Sequence, residues 1–116
     1  MWDIEVTDEF TVWYDELSDV EVKAVNGVVA FLERSGPALR RPLVGRIESS
    51  RYANMRELVV PAHDMRILFA FDPRRTGLLL LGGSKTDDWE GWYRRMVPIA
   101  DALYAAHFDA LRKERR

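Results

Sequence analysis

The chain has 116 residues with a formal net charge of −2 and no cysteine, which sets it as one domain able to bury a modest core and excludes disulfides and thiolate metal sites. Its longest apolar runs fall far short of the ~20 residues that span a bilayer, and the acidic opening MWDIEVTDEF has no apolar signal core, so a soluble, cytoplasmic protein without membrane contact is expected. The charge is segregated: residues 1–33 carry nine acids against Lys23 alone, whereas residues 34–75 carry nine arginines against four acids.

Trp2, Ile4 and Val6 alternate with Asp3 and Glu5, predicting a half-buried first strand. Thr7 can cap a helix over about residues 8–17, with Phe10, Trp13, Tyr14 and Leu17 on one face. Ser18 or Asp19 caps a second helix over about 19–34, striped by Val22, Val25, Val28, Val29 and Leu32 and stopped by Ser35-Gly36-Pro37. The two form a hairpin over one face of the sheet. Residues 36–53 read as loop, with a short strand at Val44 to Ile47.

Residues 54–85 carry three short β-rich runs, MRELVV, MRILFAF and LLLLGG, separated by Pro-, Asp- and Gly-containing turns; this is a meander. One face of the second run is fully apolar, while the other carries Arg66. A sheet covered on one side follows, with Arg56, Arg66 and Lys85 on the open side. Asp87, with Glu90 three residues on, predicts a capped helix from 88, which Pro98 kinks or restarts; the tail RKERR is expected to fray.

Motifs for serine hydrolases, zincins, phosphate loops and dinucleotide binding are missing. Gly82-Gly83 before Ser84-Lys85 reads as a turn or bulge more readily than as a phosphate cradle. With no cysteine and only His63 and His107, neither a metal site nor a cofactor is expected.

The segments WDIEVTDEFTVWYDELS, ERSGPALRRPLVGRI, NMRELVV, MRILFAFDPRR, LLLLGGSKT and WYRRMVPIADALYAAHF resemble the HigB-type toxins of the Gp49-like branch of the RelE/ParE superfamily over nearly the whole chain. The resemblance implies a single α+β domain over 1–116 with a RelE-like fold: a small, mainly antiparallel sheet, an N-terminal helical hairpin and a C-terminal helix. It also implies a type II toxin, a metal-independent and ribosome-dependent mRNA endoribonuclease, paired with an adjacently encoded antitoxin of helix-turn-helix type. Metal-free RNA cleavage needs a base for the 2′-hydroxyl, an acid for the leaving 5′-oxygen and cations for the phosphorane. Arg66 matches the family's charge-stabilising arginine and Arg56 the basic residue of its [KR]-E-L-R motif. Lys85 stands as base or structural cap, and Tyr93 as proton donor, base-stacking ring or core residue. Arg46, Arg51, His63, Arg74 and Trp89 are the candidate substrate contacts. Val59 replaces a family arginine. A ParE-like toxin that binds protein without cutting RNA, or an inactive antitoxin-pairing regulator, is the alternative; burial of Arg56 and Arg66 in ion pairs with Glu57 and Asp64 would favour it.

Overall fold

The computed structural model describes residues 1–114. Strand β1 (Asp3–Val6) leads into α1 (Asp8–Asp15) and α2 (Asp19–Ser35), followed by β2 (Val44–Arg46), β3 (Arg56–Val60), β4 (Met65–Phe71), β5 (Thr76–Gly83) and α3 (Trp89–Glu114). Local chemistry sets the helix starts. The Thr7 hydroxyl accepts from the Phe10 N–H, and Ser18 and Glu21 form a reciprocal capping box. For α3 the cap is Asp88, not Asp87: its carboxylate accepts from the Gly91 N–H at 3.0 Å, and its carbonyl from Trp92. Pro98 lies inside α3 without restarting it. Of the tail expected to fray, residues 112–114 continue this helix, and 115–116 lie outside the described residues.

The sheet order is β1-β5-β4-β3-β2. The meander is present as antiparallel β3, β4 and β5, and β2 adds to its edge. At the other edge β1 pairs parallel to β5, a long-range contact that no local pattern announces. An irregularity between Leu68 and Phe69 opposes Leu81 to Leu68 and Leu79 to Phe69, so Leu80 is the extra residue of a bulge. Leu80 and Leu81 consequently both join the core under α3.

Both faces of the sheet are covered, which corrects the expectation of an open side. Val25, Val28 and Leu32 of α2 pack with Phe10 on Leu58, Val60, Ile67, Phe69 and Leu79. Trp92, Val97, Ala100 and Tyr104 of α3 pack on Met55, Leu68, Ala70, Leu78 and Leu80. Each such fully buried aliphatic or aromatic side chain stabilises by about 1.5–3 kcal/mol, so both layers contribute to holding the sheet. Gly82 and Gly83 serve this packing. A Cβ on Gly82 would lie 2.1 Å from the Trp13 ring and one on Gly83 2.4 Å from Trp92, so the pair admits an indole from each side. Among the described residues no helix is long and apolar enough to cross a membrane.

Candidate active site

The candidate cluster grows from the β3–β4 hairpin. Its tight turn sets Val60 opposite Met65, so Val59 pairs with Arg66 and Glu57 with Leu68. Side-chain alternation then puts Glu57 and Arg66 on the face that α3 covers. There Tyr93, one turn into α3, donates its hydroxyl to Glu57 Oε1 at 2.6 Å, and Arg66 Nη1 donates to the Tyr93 oxygen. The Arg66–Glu57 separation is 3.7 Å, with the side chains 27% and 13% exposed. Trp89 lies over the guanidinium at 4.5 Å and is held by its indole N–H, which donates to Asp64 at 3.2 Å. The Nε of Arg66 is buried without a partner among the described residues.

Burial raises the Tyr93 phenol to about 12, and its bond to Glu57 adds to the effect against the opposing influence of Arg66. It is therefore a neutral proton donor at physiological pH. A cation, a phenol and a carboxylate are thus joined in one hydrogen-bonded chain at the end of the sheet where β4 begins.

Of the residues predicted from sequence, Arg66, Tyr93 and Trp89 come together here. Lys85 is exposed two residues beyond Gly83, the register partner of Arg66. Arg56 does not join them. It pairs with Phe69, an odd number of residues from Arg66, and so projects to the hairpin face; the single basic face containing both arginines is overturned by this register. Arg46, the register partner of Arg56, stands beside it. Arg51 is exposed, its guanidinium 5.9 Å from the Tyr52 ring, while its N–H and the Ser50 hydroxyl are held by buried Asp101 of α3. His63 ends the β3–β4 turn near Glu21 of α2. Arg74 lies in the turn past the opposite end of β4, whose last residue is about 16 Å along the strand from Arg66 at ~3.3 Å per residue. It bonds Asp72 at 2.7 Å and Glu5 at 3.0 Å, and His107 bonds the same Asp72 oxygen at 2.8 Å. Arg74 is a structural residue, not a free basic contact. Asp64, whose pairing with an arginine would favour the alternative reading, holds Trp89 instead.

Glu57 is the residue that sequence reasoning missed as a chemical group. The signal was present, because the length of the turn between β3 and β4 puts positions 57 and 66 on one face.

Comparison with known proteins gives a consistent picture. The model of the family described as phage derived protein Gp49-like matches residues 12–105. HigB3 of Mycobacterium tuberculosis, named as a toxin, is 44% identical over 89 residues, covering 77% of this chain and 78% of that protein. HigB2 of the same organism, also named as a toxin, is 35% identical over 99% of this chain, which spans 60% of the length of HigB2. Among solved structures, the isolated E. coli RelE toxin superposes with a TM-score of 0.61 at 5% identity, over 83% of this chain and 99% of RelE. The archaeal RelE–RelB complex from Pyrococcus horikoshii gives 0.60 at 11% identity, over 74% and 97%. Identities this low speak for the fold alone, and that fold is RelE-like.

Proposed function

The chain belongs to the phage-derived Gp49-like family, and on that premise we propose that it is the toxin of a type II toxin–antitoxin pair, a metal-independent endoribonuclease acting on mRNA at the ribosome. The observation that carries this reading is the Arg66–Tyr93–Glu57 chain, which supplies in one place the three kinds of group that cleavage through the 2′-hydroxyl requires. Glu57 takes the 2′-hydroxyl proton as the 2′-oxygen attacks phosphorus. Arg66 stabilises the charge on the phosphorane oxygens. The 5′-oxygen leaves with a proton from Tyr93, giving a 2′,3′-cyclic phosphate and a 5′-hydroxyl. Lys85, exposed beyond β5, adds positive charge at the rim. The unpartnered Nε of Arg66 lies next to Trp89, so a phosphate reaching that donor displaces the indole, which is then free to stack on a base.

Two features support the second reading, a ParE-like toxin that binds protein or an antitoxin-pairing regulator. Arg66 is paired with Glu57, and Val59 stands where relatives are expected to carry a further cation. The pairing is long and part-exposed, so it holds the guanidinium in place without neutralising it. A cognate antitoxin, of helix-turn-helix type and encoded alongside, is the partner this reading requires, and the cytoplasm is where both would act. Induced expression in a bacterial host is expected to arrest growth, with relief on co-expression of the neighbouring reading frame. Unimpaired growth at high expression would refute the toxin assignment.

A further inference from the structure

The Arg66 cluster leaves four arginines at the β2 edge unexplained. Arg46 and Arg56 face each other across β2 and β3, and like charges in that position repel. Arg40 and Arg41, from the loop before β2, join them around a cleft of about 610 Å³. The Arg41 guanidinium lies against β2, where a Cβ on Gly45 would come within 3.2 Å of it. Among the described residues none of the four is ion-paired to a carboxylate, and Glu48 is the one acid lining the cleft. Arg56 donates only to the backbone carbonyls of Ala53 and Met55, at 2.9 and 3.2 Å. Its burial, and then the charge of Arg46, lower its affinity for its own proton.

The cleft does not stand alone. Through Pro37, Leu39, Val44 and Arg56 it continues into a hollow of about 230 Å³ walled by Phe69 and Phe71. Across the edge strand, Arg46 also lines a third cleft, of about 200 Å³, which contains Glu57 and Tyr93. Arg46 is therefore the junction between the arginine cleft at the β2 edge and the candidate active site under α3.

We propose that the arginine cleft is a second RNA-binding site: phosphates of single-stranded RNA lie on Arg40, Arg41, Arg46 and Arg56, an unstacked base enters the Phe69–Phe71 hollow, and the strand crosses Arg46 toward Glu57 and Tyr93. The arginine fork suits bidentate phosphate contact, and an aromatic-walled hollow suits a splayed base. An acidic peptide would satisfy the arginines but has no flat ring for the hollow by virtue of its charge. The inference rests on the reading that the substrate is mRNA, and its test separates the two.

Binding of the full chain to a short 2′-O-methyl oligoribonucleotide, which cannot be cut through its 2′-oxygen, is measured by fluorescence anisotropy across a salt series. The R40A/R41A/R46A variant changes exposed residues only. It is expected to weaken binding roughly tenfold or more and to reduce the salt slope by about 2, at ~0.7 per single-strand phosphate contact. Each single variant should reduce the slope by roughly a third as much, and Lys23→Ala, on α2, is the charge-matched control. Arg66→Ala should abolish cleavage of unmodified mRNA while keeping the groove's share of binding. If the triple variant binds like the wild type while Arg66→Ala loses cleavage, the groove inference fails and the nuclease reading stands. If the triple variant loses binding but Arg66→Ala still cuts, the groove stands and the active-site assignment fails. A Glu-rich peptide that competes for the cleft when RNA does not would identify a protein site and overturn the proposal.

Discussion

Replacing Arg66 with alanine separates chemistry from stability. The change removes a cation stacked 4.5 Å from Trp89, its hydrogen bond to the Tyr93 oxygen and a 3.7 Å contact with Glu57, and leaves the Tyr93 hydroxyl as the carboxylate's remaining side-chain partner. A part-exposed cation–π contact contributes about 0.5–1 kcal/mol and a part-exposed ion pair about 0–1 kcal/mol. Removing the buried, unpartnered Nε offsets some of this loss. With the lost hydrogen bond to Tyr93, the net destabilisation should be about 1–2 kcal/mol, a fall in Tm of roughly 4–8 °C. Even a domain of about 5 kcal/mol stability would then remain more than ~99% folded, so unfolding cannot account for a large loss of activity. If the guanidinium stabilises charge that develops only in the transition state, cleavage should slow by at least ~10²-fold, about 2.7 kcal/mol in the barrier. Arg66→Lys, which keeps the charge but loses the planar fork, should fall between the two. The assays are cleavage of a translated mRNA in a reconstituted translation mixture and urea denaturation of the same preparations. Cleavage within about threefold of wild type would refute the role, and a melted variant would make the arginine structural.

The other predictions concern the framework and its protons. Asp72→Asn keeps an acceptor for the turn N–H groups but loses the charge facing Arg74 and His107, and should cost about 2–3 kcal/mol in urea denaturation. Burial pushes the Asp72 carboxyl up, but bonds from His107, Arg74 and the backbone outweigh it and hold it below the ordinary range. Its contribution is therefore present above about pH 4 and is lost as pH falls through the folded value, so the variant should show a shallower acid slope; an unchanged slope would contradict this. Tyr93 keeps its proton to about 12 in the fold, against about 10 when unfolded, so stability should fall as pH rises through that window. Tyr93→Phe should reduce that alkaline slope without abolishing it, because burial raises Tyr104 as well. Gly83→Ala places a methyl 2.4 Å from the Trp92 ring and should cost about 1–3 kcal/mol, seen as a lower urea midpoint; a neutral effect would mean the indole moves freely.

Local patterns made much of the fold legible. Thr7 and Ser18 announced the starts of α1 and α2, and Pro61 to Asp64 and Asp72 to Gly77 bounded the three-stranded meander. What stayed hidden was relational. The parallel pairing of β1 with β5 joins Asp3 to Thr76 across the whole hairpin, and α3 covers the face that seemed open because Trp92, Val97 and Tyr104 need a surface to bury. The candidate site was half legible. Arg66 and Tyr93 were singled out by residue type and resemblance, but which arginines share a face depends on register. A one-residue difference in phase sends Arg56 to the hairpin side and Arg66 to the helix side. Arg74 looked like a free turn cation because Glu5, and the His107 that shares Asp72 with it, come from the two ends of the chain.

The proposed role of the Glu57–Arg66–Tyr93 chain is the cutting of messenger RNA. Primer-extension mapping of cellular mRNAs after brief induction tests it most directly, with the wild-type chain compared with Arg66→Ala at equal expression. Cuts inside translated codons that appear with the wild type and vanish with the variant are the predicted result. Growth arrest without new mRNA ends, or the same ends from both chains, would contradict it.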